Sequence, residues 1–128
     1  MLKDKKIFIT GGAGFIGSTL IGRLIDDNEI TVYDNFRRDA LSDKPYANRS
    51  NLKIIHGDIL NFQMLQKKIG NAQIIIHCAA IADIDTVVIS PTETMRVNMI
   101  GTANILESAK GLDNFERFID LRLFNNNA

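Results

Sequence analysis

The stretch that decides the fold lies near the N-terminus and reads Lys6-Ile7-Phe8-Ile9-Thr10-Gly11-Gly12-Ala13-Gly14-Phe15-Ile16-Gly17-Ser18. Its first five residues predict a buried strand, and residues 15–26 predict a helix because apolar side chains recur there at helical spacing. In the turn between them, Gly11 would permit a tight bend, Gly14 the close approach of a pyrophosphate, and Gly17 close packing of the helix. The helix N-terminus would then offer N–H groups to the phosphates. The triad alone is also compatible with a glycine-rich turn that binds no ligand.

The rest of the chain continues this alternation of short apolar runs and helical patterns. Strands are predicted at residues 30–34, 52–56, 74–78 and 115–123, a polar loop at 35–51, and helices at 61–69 and from residue 91 onward. Strands alternating with helices predict crossover connections, and therefore an α/β, doubly wound parallel sheet with the strand order 3-2-1-4-5.

Signals for the helix ends accompany the two later helices. Asn61 is expected to cap the first of them and Gly70 to end it. The stretch Ser90-Pro91-Thr92-Glu93 predicts a capping box at the start of the second, and Gly111 is expected to close it. Apolar residues recur within the second helix at Met95, Met99, Ala103 and Leu106. We expect the methionines to serve only in packing.

Composition and charge exclude several classes of protein. The 128 residues suit one domain, and 15 basic residues balance 15 acidic ones. This balance argues against nucleic acid or an anionic membrane as the main partner. The single cysteine, Cys78, fits a reducing compartment, and no apolar run reaches the ~18 residues of a membrane span. Since the N-terminus shows no secretory signal, we expect a cytoplasmic location.

Two acidic residues stand at predicted strand ends. Asp34 follows the glycine triad by about 20 residues, where an acid can accept hydrogen bonds from the adenosine ribose. Asp58 follows the third strand, and carboxyl ends of parallel strands meet at the ligand-binding edge of the sheet. The alternatives are a loop acid for Asp34 and a helix cap for Asp58.

These motifs together resemble the extended short-chain dehydrogenase/reductases, in the NAD-dependent epimerase/dehydratase group, of which UDP-glucose 4-epimerases are the best-known type. The resemblance covers about residues 5–119 and rests on residues 10–18, 33–36, 56–59, 77–80 and 97–107. It implies a Rossmann-type NAD(P)-binding domain at residues 1–119, which relatives follow with a region that binds a nucleotide sugar. Residues 120–128 do not match the family and are interpreted as an atypical tail, and we expect the substrate domain to be absent from this chain.

The resemblance also implies a cofactor site, residue by residue. The pyrophosphate turn would comprise Gly11, Gly14, Phe15, Ile16 and Gly17. The ribose acid would be Asp34, with the adenosine bordered by Asn35, Phe36, Arg37 and Arg38. The adenine would be read by Asp58 and Ile59. The wall along the nicotinamide ribose would consist of Cys78, Ala79, Ala80 and Ala82, steadied by Asn98. Asn98 could equally be a buried polar residue that bonds the neighbouring loop.

The expected cofactor is NAD rather than NADP. The carboxylate of Asp34 can accept two hydrogen bonds from a ribose diol, and a 2′-phosphate would bring a second negative charge close to it. Arg37 and Arg38 oppose this interpretation, because a nearby arginine accommodates the phosphate in NADP sites.

The catalytic residues of the family are missing from the sequence. The family uses a Tyr-x-x-x-Lys pair with a Ser or Thr, but four residues after Tyr33 and Tyr46 stand Arg37 and Ser50. No Ser or Thr occurs in residues 118–128. A truncated or frame-shifted reading frame is the simplest expectation, with a natural small protein as the alternative, and no residue is assigned a catalytic role.

No metal site is expected either. His56 and His77 each stand alone at a predicted strand end, without a second His or Cys at ligand spacing, so we expect both to be structural. Cys78 has no obvious base partner and is interpreted as a wall residue rather than a nucleophile.

Several functions remain open at this point. The first is the NAD-binding domain of a nucleotide-sugar epimerase or dehydratase, which transfers a hydride between a sugar carbon and NAD. The alternatives are an inactive dinucleotide-binding fragment, a structural remnant, and a relative with steroid or flavonoid reductase chemistry. A nucleotide sugar is expected as a partner only in a full-length relative. An uncovered apolar sheet edge predicts a homodimer through the last helices or the terminal strand.

Overall fold

Five parallel strands and three helices alternate along the residues that the computed structural model describes, which are 2–79 and 90–121. In chain order they are β1 (Lys6–Thr10), α1 (Phe15–Leu24), β2 (Glu29–Asp34), β3 (Leu52–His56), α2 (Phe62–Lys68), β4 (Ile74–His77), α3 (Pro91–Ala109) and β5 (Arg117–Asp120). The strand order is β3-β2-β1-β4-β5 with every pair parallel, which confirms the predicted doubly wound fold.

Both faces of the sheet are covered by apolar packing. Successive strand residues point to opposite faces, so Ile7 and Ile9 pack on the α1 side while Phe8 between them packs on the α2 and α3 side. β4 is buried along its whole length, as expected for a central strand of a parallel sheet. This double burial explains why the strands read as nearly continuous apolar runs in the sequence.

The register of the sheet brings polar residues together at one edge. Asp34 pairs with His56, and His77 pairs with both Thr10 and Asp120, so the last residues of all five strands share the carboxyl edge. The segment between β2 and β3 forms hydrogen-bonded turns rather than a helix, as predicted.

The ends of α2 agree with the sequence. The Asn61 side chain accepts a hydrogen bond from the Met64 N–H at 3.1 Å, which confirms Asn61 as the N-cap. Gly70 follows the helix with a φ of 61°, a left-handed conformation that favours glycine and ends the helix there.

The ends of α3 differ from the prediction. Ser90 is the N-cap, but its side chain makes no capping hydrogen bond, so the predicted capping box does not form. The Glu93 carboxylate instead accepts two hydrogen bonds from Arg96, at 2.8 and 2.9 Å. At the other end the helix stops at Ala109, and Gly111 lacks the left-handed conformation that the prediction required.

The buried face of α3 is also not the one that its large apolar residues indicate. Met95 is 63% exposed and Met99 is 65% exposed, so the expectation that these methionines serve in core packing is wrong. The buried positions are instead mostly small: Thr94, Gly101, Ile105, Ser108 and Ala109. Small residues are required because a Cβ at Gly101 would lie 2.8 Å from the Ile59 side chain.

Four elements are shorter than predicted, and one of them is α2, which covers Phe62–Lys68 rather than residues 61–69. α1 ends at Leu24, two residues early, and β4 ends at His77 rather than Cys78. β5 covers only Arg117–Asp120, and residues 122–123 of the predicted strand lie outside the described residues. Among the helices of residues 2–79 and 90–121, none combines the length and the apolar character that a membrane crossing requires.

Candidate functional site

A cleft of about 300 Å³ opens at the carboxyl edge of the sheet, where strand order reverses between β1 and β4. Such switch points are where open α/β sheets bind ligands. The residues that line the cleft are Gly11, Gly14, Phe15, Tyr33, Asp34, Asn35, Arg37, Arg38, Gly57, Ile59, Cys78, Ala79 and Val97. Ten of these thirteen are residues for which the sequence predicted a place in the cofactor site.

The glycine turn between β1 and α1 is built by two contacts that exclude side chains. Gly11 has a φ of 73°, and a Cβ there would lie 2.6 Å from the backbone nitrogen of Ala79. A Cβ at Gly17 would lie 2.6 Å from the carbonyl oxygen of Gly11. Gly17 therefore allows α1 to pack closely against the glycine turn.

Gly14 has a different role from its two partners. Among the described residues, a Cβ there would meet only the Gly11 carbonyl oxygen, at 3.3 Å, so a side chain at this position needs a shift of only a few tenths of an ångström. Gly14 is the N-cap of α1, no side chain caps that helix, and its first turn holds no acidic residue. The N-terminal N–H groups of α1 and the positive end of its dipole are therefore available to an anion in the cleft.

Asp34 is held at the cleft by two backbone amides. Its Oδ2 accepts a hydrogen bond from the Ala13 N–H at 2.9 Å, and its Oδ1 accepts one from the Phe36 N–H at 2.7 Å. The half-buried carboxylate is thus tied to the glycine turn on one side and to the following loop on the other. Each carboxylate oxygen keeps further acceptor capacity for a ligand hydroxyl.

The loop after β2 is shaped around Phe36. This residue has a φ of 58°, which is uncommon for a non-glycine residue, and its ring stacks on His56 at a centroid distance of 4.1 Å. Asn35 accepts a hydrogen bond from the Arg37 N–H at 3.0 Å. Phe36 does not line the cleft, whereas the exposed side chains of Arg37 and Arg38 do.

The turn after β3 presents one carboxylate and one backbone amide. Asp58 is exposed and lies outside the cleft lining, and its Oδ1 accepts a hydrogen bond from the Leu60 N–H at 2.9 Å. Ile59 lines the cleft. Within the described ranges, no hydrogen-bond acceptor is found for the Ile59 N–H. The Tyr33 hydroxyl donates to the Asp58 carbonyl at 2.8 Å, and burial together with the Asp58 charge raises the pKa of this tyrosine.

The far side of the cleft is lined by Cys78, Ala79 and Val97. Burial raises the pKa of the Cys78 thiol to about 11, and the charges of Asp120 and Asp34 add to the effect. The thiol is therefore protonated near neutral pH, which agrees with a wall residue rather than a nucleophile. Ala80 and Ala82, which the sequence assigned to the same wall, lie outside the described residues.

A buried histidine links this wall to two elements. His77 Nδ1 lies 2.6 Å from Thr10 Oγ1, and His77 Nε2 lies 3.1 Å from Thr102 Oγ1. The Thr102 hydroxyl donates to the Asn98 carbonyl at 2.6 Å, so His77 Nε2 is the donor in its contact with Thr102. This places His77 in a structural role. His56 packs on Phe36, and across residues 2–79 and 90–121 no cluster of His, Cys, Asp and Glu could hold a metal ion.

The remaining predicted site residues do not line the cleft. They are Ile16, Gly17, Phe36, Asp58 and Asn98. The sequence patterns in turn gave no indication of the contributions of Gly12, Ala13, Tyr33, Gly57 and Val97. Gly12 is a packing requirement, because a Cβ there would lie 2.8 Å from the Val32 side chain. Ala13 acts through its backbone N–H, for which a side-chain pattern gives no signal.

Comparison with known proteins identifies the family of this chain. The family model of the 3-beta hydroxysteroid dehydrogenase/isomerase family matches residues 8–115. The chain is 28% identical over 115 residues to the UDP-glucose 4-epimerase of Rickettsia typhi, which is 85% of this chain and 34% of the relative. It is 29% identical over 112 residues to the dTDP-glucose 4,6-dehydratase of Mycobacterium tuberculosis, covering 82% of this chain and 33% of the relative.

Solved structures agree with the sequence relatives. A UDP-N-acetylglucosamine 4-epimerase from Methanobrevibacter ruminantium M1, in complex with UDP-N-acetylmuramic acid, superposes with a TM-score of 0.82 and 31% identity. That match covers 91% of this chain and 37% of the epimerase. The Bordetella bronchiseptica enzyme WbmG, in complex with NAD, gives a TM-score of 0.75 at 27% identity, over 92% of this chain and 37% of WbmG.

The chain spans about one third of the length of these relatives. The family match nevertheless covers the glycine turn, the three described helices, β2 to β4 and the last three residues of β1, so it rests on the same elements that build the cleft. The chain therefore belongs to the 3-beta hydroxysteroid dehydrogenase/isomerase family, within the NAD-dependent epimerase/dehydratase group that its motifs resemble.

Proposed function

We propose that residues 1–119 form the NAD-binding domain of a nucleotide-sugar epimerase or dehydratase. The observation that carries this proposal is the Asp34 carboxylate, which two backbone amides hold at the cleft beside the uncapped N-terminus of α1. The carboxylate can bind a ribose diol, and the helix N-terminus can bind a pyrophosphate. Their spacing fits these two polar parts of a dinucleotide. WbmG, a structural neighbour of this chain, was solved in complex with NAD, and this supports NAD as the cofactor proposed here.

The proposed positions of the cofactor follow from the cleft. The pyrophosphate would lie over the turn from Gly11 to Gly17 and the adenosine ribose against Asp34. The adenine would be read by Asp58 and Ile59, bordered by residues 35–38. The nicotinamide ribose would lie along the wall of Cys78, Ala79, Ala80 and Ala82, with Asn98 behind it.

We propose that NAD is preferred over NADP. The carboxylate of Asp34 is fixed by the end of β2 and by the glycine turn, whereas Arg37 and Arg38 are exposed side chains on a loop. A 2′-phosphate would replace a hydroxyl donor to Asp34 and add a negative charge beside it. The fixed carboxylate of Asp34 should therefore affect the cofactor preference more than the two arginines do.

The substrate class is proposed from the relatives. The UDP-glucose 4-epimerase and the dTDP-glucose 4,6-dehydratase act on nucleotide sugars, so we assign a full-length protein of this kind the same class of substrate. NAD would supply the hydride acceptor for the sugar carbon. Steroid chemistry, which the name of the matched family suggests, is the second candidate.

The 128-residue chain itself should not turn over such substrates. Neither Tyr33 nor Tyr46 is followed four residues later by lysine, so the acid/base pair of the resembled family is missing. A positioned acid or base typically contributes about 10²–10⁴ in rate. Interconversion of UDP-glucose and UDP-galactose by the purified chain, dependent on added NAD⁺, would contradict this assignment.

The test of cofactor binding is calorimetric titration of the chain with NAD⁺, NADH and NADP⁺ at millimolar concentrations. We expect heat and a raised melting temperature with NAD⁺, weaker binding of NADP⁺, and an affinity below that of full-length relatives. The absence of heat with an unshifted melting temperature would exclude the binding function and leave the structural remnant as the interpretation.

We also propose that the chain forms a homodimer in the cytoplasm. Met95, Met99, Ile100 and Leu106 leave large apolar surface exposed on α3, and exposed apolar patches of this kind mark interaction sites. Sedimentation of the chain should show a dimer that the substitution Met99→Glu dissociates. A monomeric wild-type chain would exclude this proposal without affecting cofactor binding.

A further inference from the structure

Two carbonyl groups of the turn that follows β3, those of Asp58 and Ile59, are held by side chains from other elements. The Asp58 carbonyl accepts a hydrogen bond from the Tyr33 hydroxyl of β2 at 2.8 Å. The Ile59 carbonyl accepts one from the Asn104 side-chain amide of α3 at 3.0 Å. The turn is thus fastened to the sheet below it and to the helix beside it.

Each of these bonds also fixes an N–H group, because a peptide unit is planar and its C=O and N–H point in opposite directions. The Asp58 carbonyl and the Ile59 N–H belong to one peptide unit, so the Tyr33 hydroxyl, together with the Asn61 N–H that donates to the same carbonyl at 2.9 Å, sets the direction of the Ile59 N–H. That N–H has no acceptor among the described residues, and Ile59 lines the cleft.

The second bond acts on the carboxylate in the same way. The Ile59 carbonyl and the Leu60 N–H share the next peptide unit, and the Leu60 N–H donates to Asp58 Oδ1 at 2.9 Å. The Asn104 amide therefore orients the N–H that in turn holds the Asp58 side chain. One oxygen of this carboxylate is thereby engaged, and Oδ2 remains to accept from a ligand.

Close packing leaves the turn little freedom to shift. A Cβ at Gly57 would lie 2.3 Å from the Tyr33 ring, and a Cβ at Gly101 would lie 2.8 Å from the Ile59 side chain. The Tyr33 ring is therefore in contact with Gly57 on one side of the turn, and α3 is in contact with Ile59 on the other side.

We infer that Tyr33 and Asn104 are positioning residues that lock residues 57–60 into a reader of the adenine base, and that they set the preference for adenine over hypoxanthine. The inference rests on the proposed binding of NAD. Adenine offers an amino donor to the Asp58 carboxylate and an N1 acceptor to the Ile59 N–H. Hypoxanthine reverses both groups, with a carbonyl oxygen at C6 and an N–H at N1, so a rigid turn rejects it.

The test compares the affinities of the chain for NAD⁺ and for nicotinamide hypoxanthine dinucleotide by calorimetry. The variants are Tyr33→Phe, which removes one hydroxyl, and Asn104→Ala, which removes one side-chain amide. Alanine has a high helix propensity, so the second substitution should not disturb α3. We expect each variant to lower the ratio of the affinity for NAD⁺ to the affinity for the hypoxanthine dinucleotide by about two- to tenfold. This is the range that one hydrogen bond typically contributes. The ratio is measured because a general loss of structure would lower the affinity for both dinucleotides alike and leave their ratio unchanged.

Tyr46→Phe is the matched control, since the Tyr46 hydroxyl also donates to a backbone carbonyl, that of Ser18, on the other side of the sheet. Its ratio should equal that of the wild type. If Tyr33→Phe and Asn104→Ala keep the wild-type ratio, the inference is wrong while the binding function stands. If Tyr33→Phe does not fold, Asn104→Ala alone decides. A wild-type chain that binds neither dinucleotide overturns both proposals.

Discussion

The two strand-to-helix turns beside the cleft, residues 10–15 after β1 and residues 56–62 after β3, share a topology but use their backbone N–H groups in opposite ways. The first has no side-chain cap, because glycine stands at the N-cap of α1. The second uses several of its amides internally, since Asn61 Oδ1 accepts from the Met64 N–H and Asp58 Oδ1 from the Leu60 N–H, while the Ile59 N–H is without an acceptor among the described residues. One turn therefore presents positive partial charge and the other a carboxylate, which suits a phosphate at the first and a base at the second.

The largest expected effect comes from placing a side chain in the first turn. Gly14→Val should abolish NAD⁺ binding, because the valine would occupy the place proposed for the pyrophosphate. The fold should survive, since Gly14 has a φ of −78° and a ψ of 176°, which valine adopts readily, and an added Cβ would meet the Gly11 carbonyl oxygen at 3.3 Å. Calorimetry measures the binding, and a melting curve checks the fold.

The control for this substitution is Gly111→Val, because no atom of the described residues, apart from Gly111 and its chain neighbours, lies within 4 Å of a Cβ at Gly111. It should bind NAD⁺ like the wild type. Retained binding by a folded Gly14→Val chain would show that the first turn does not hold a phosphate.

The next effect concerns the acid that joins the first turn to β2. Asp34→Ala should weaken NAD⁺ binding by about 10- to 100-fold, because hydrogen bonds to charged groups contribute about 1.5–3 kcal/mol. NADP⁺ should lose less, so the gap between the two cofactors should narrow or reverse. Parallel titrations of both cofactors measure this, with Asp34→Asn as the variant that keeps an acceptor but not the charge. Tighter binding of NADP⁺ than NAD⁺ by the wild type would mean that Arg37 and Arg38 dominate.

A smaller effect, on stability, is expected from Gly17→Ala. The added Cβ would lie 2.6 Å from the Gly11 carbonyl oxygen and from Gly12 Cα, and backbone atoms cannot move aside cheaply. Overpacking of this kind costs about 1–3 kcal/mol, and should exceed the gain in helix propensity. Urea unfolding measures it. Gly22→Ala in the same helix is the control, because its Cβ would meet only the Tyr46 ring, at 3.3 Å. Equal stability of the two variants would contradict the close contact at Gly17.

The smallest effect is expected in the second turn. Asn61→Ala should lower the free energy of unfolding by about 1 kcal/mol, the usual value of an N-cap, and should leave the affinity for NAD⁺ nearly unchanged. Asn61→Ser, which keeps an acceptor for the Met64 N–H, should restore the stability. A loss of affinity as large as that of Asp34→Ala would show that the cap, and not Asp58 and Ile59, organises the second turn.

Sequence patterns predicted the sheet because its strands are buried on both faces and their apolar runs are bounded by polar residues. β1 and β3 have the predicted bounds for this reason. The same reasoning failed for α3, where close approach to the turn after β3 requires small residues and turns Met95 and Met99 outward. Size complementarity between two distant segments leaves no periodic signal in either of them.

The candidate site divides along a similar line. Side chains with distinctive chemistry at a strand end, such as Asp34, could be predicted from their position. Groups that act through the backbone or through a second residue could not, as with the Ala13 N–H and the hydroxyl of Tyr33. Their roles depend on three-dimensional proximity between segments that are far apart in the chain.

The raised pKa of Cys78 has a consequence for the chemical durability of the cleft. With a pKa of about 11, only about one thiol in a thousand is ionised at pH 8, and the thiolate is the form that peroxides and alkylating agents attack. Since Cys78 is the only cysteine of the chain, this wall should resist oxidation under conditions that inactivate enzymes with exposed thiolates. The rate of its alkylation should rise about tenfold for each unit of increase in pH, until the pH reaches the pKa. The alkylation rate at a fixed pH therefore reports how strongly the wall excludes water from the thiol.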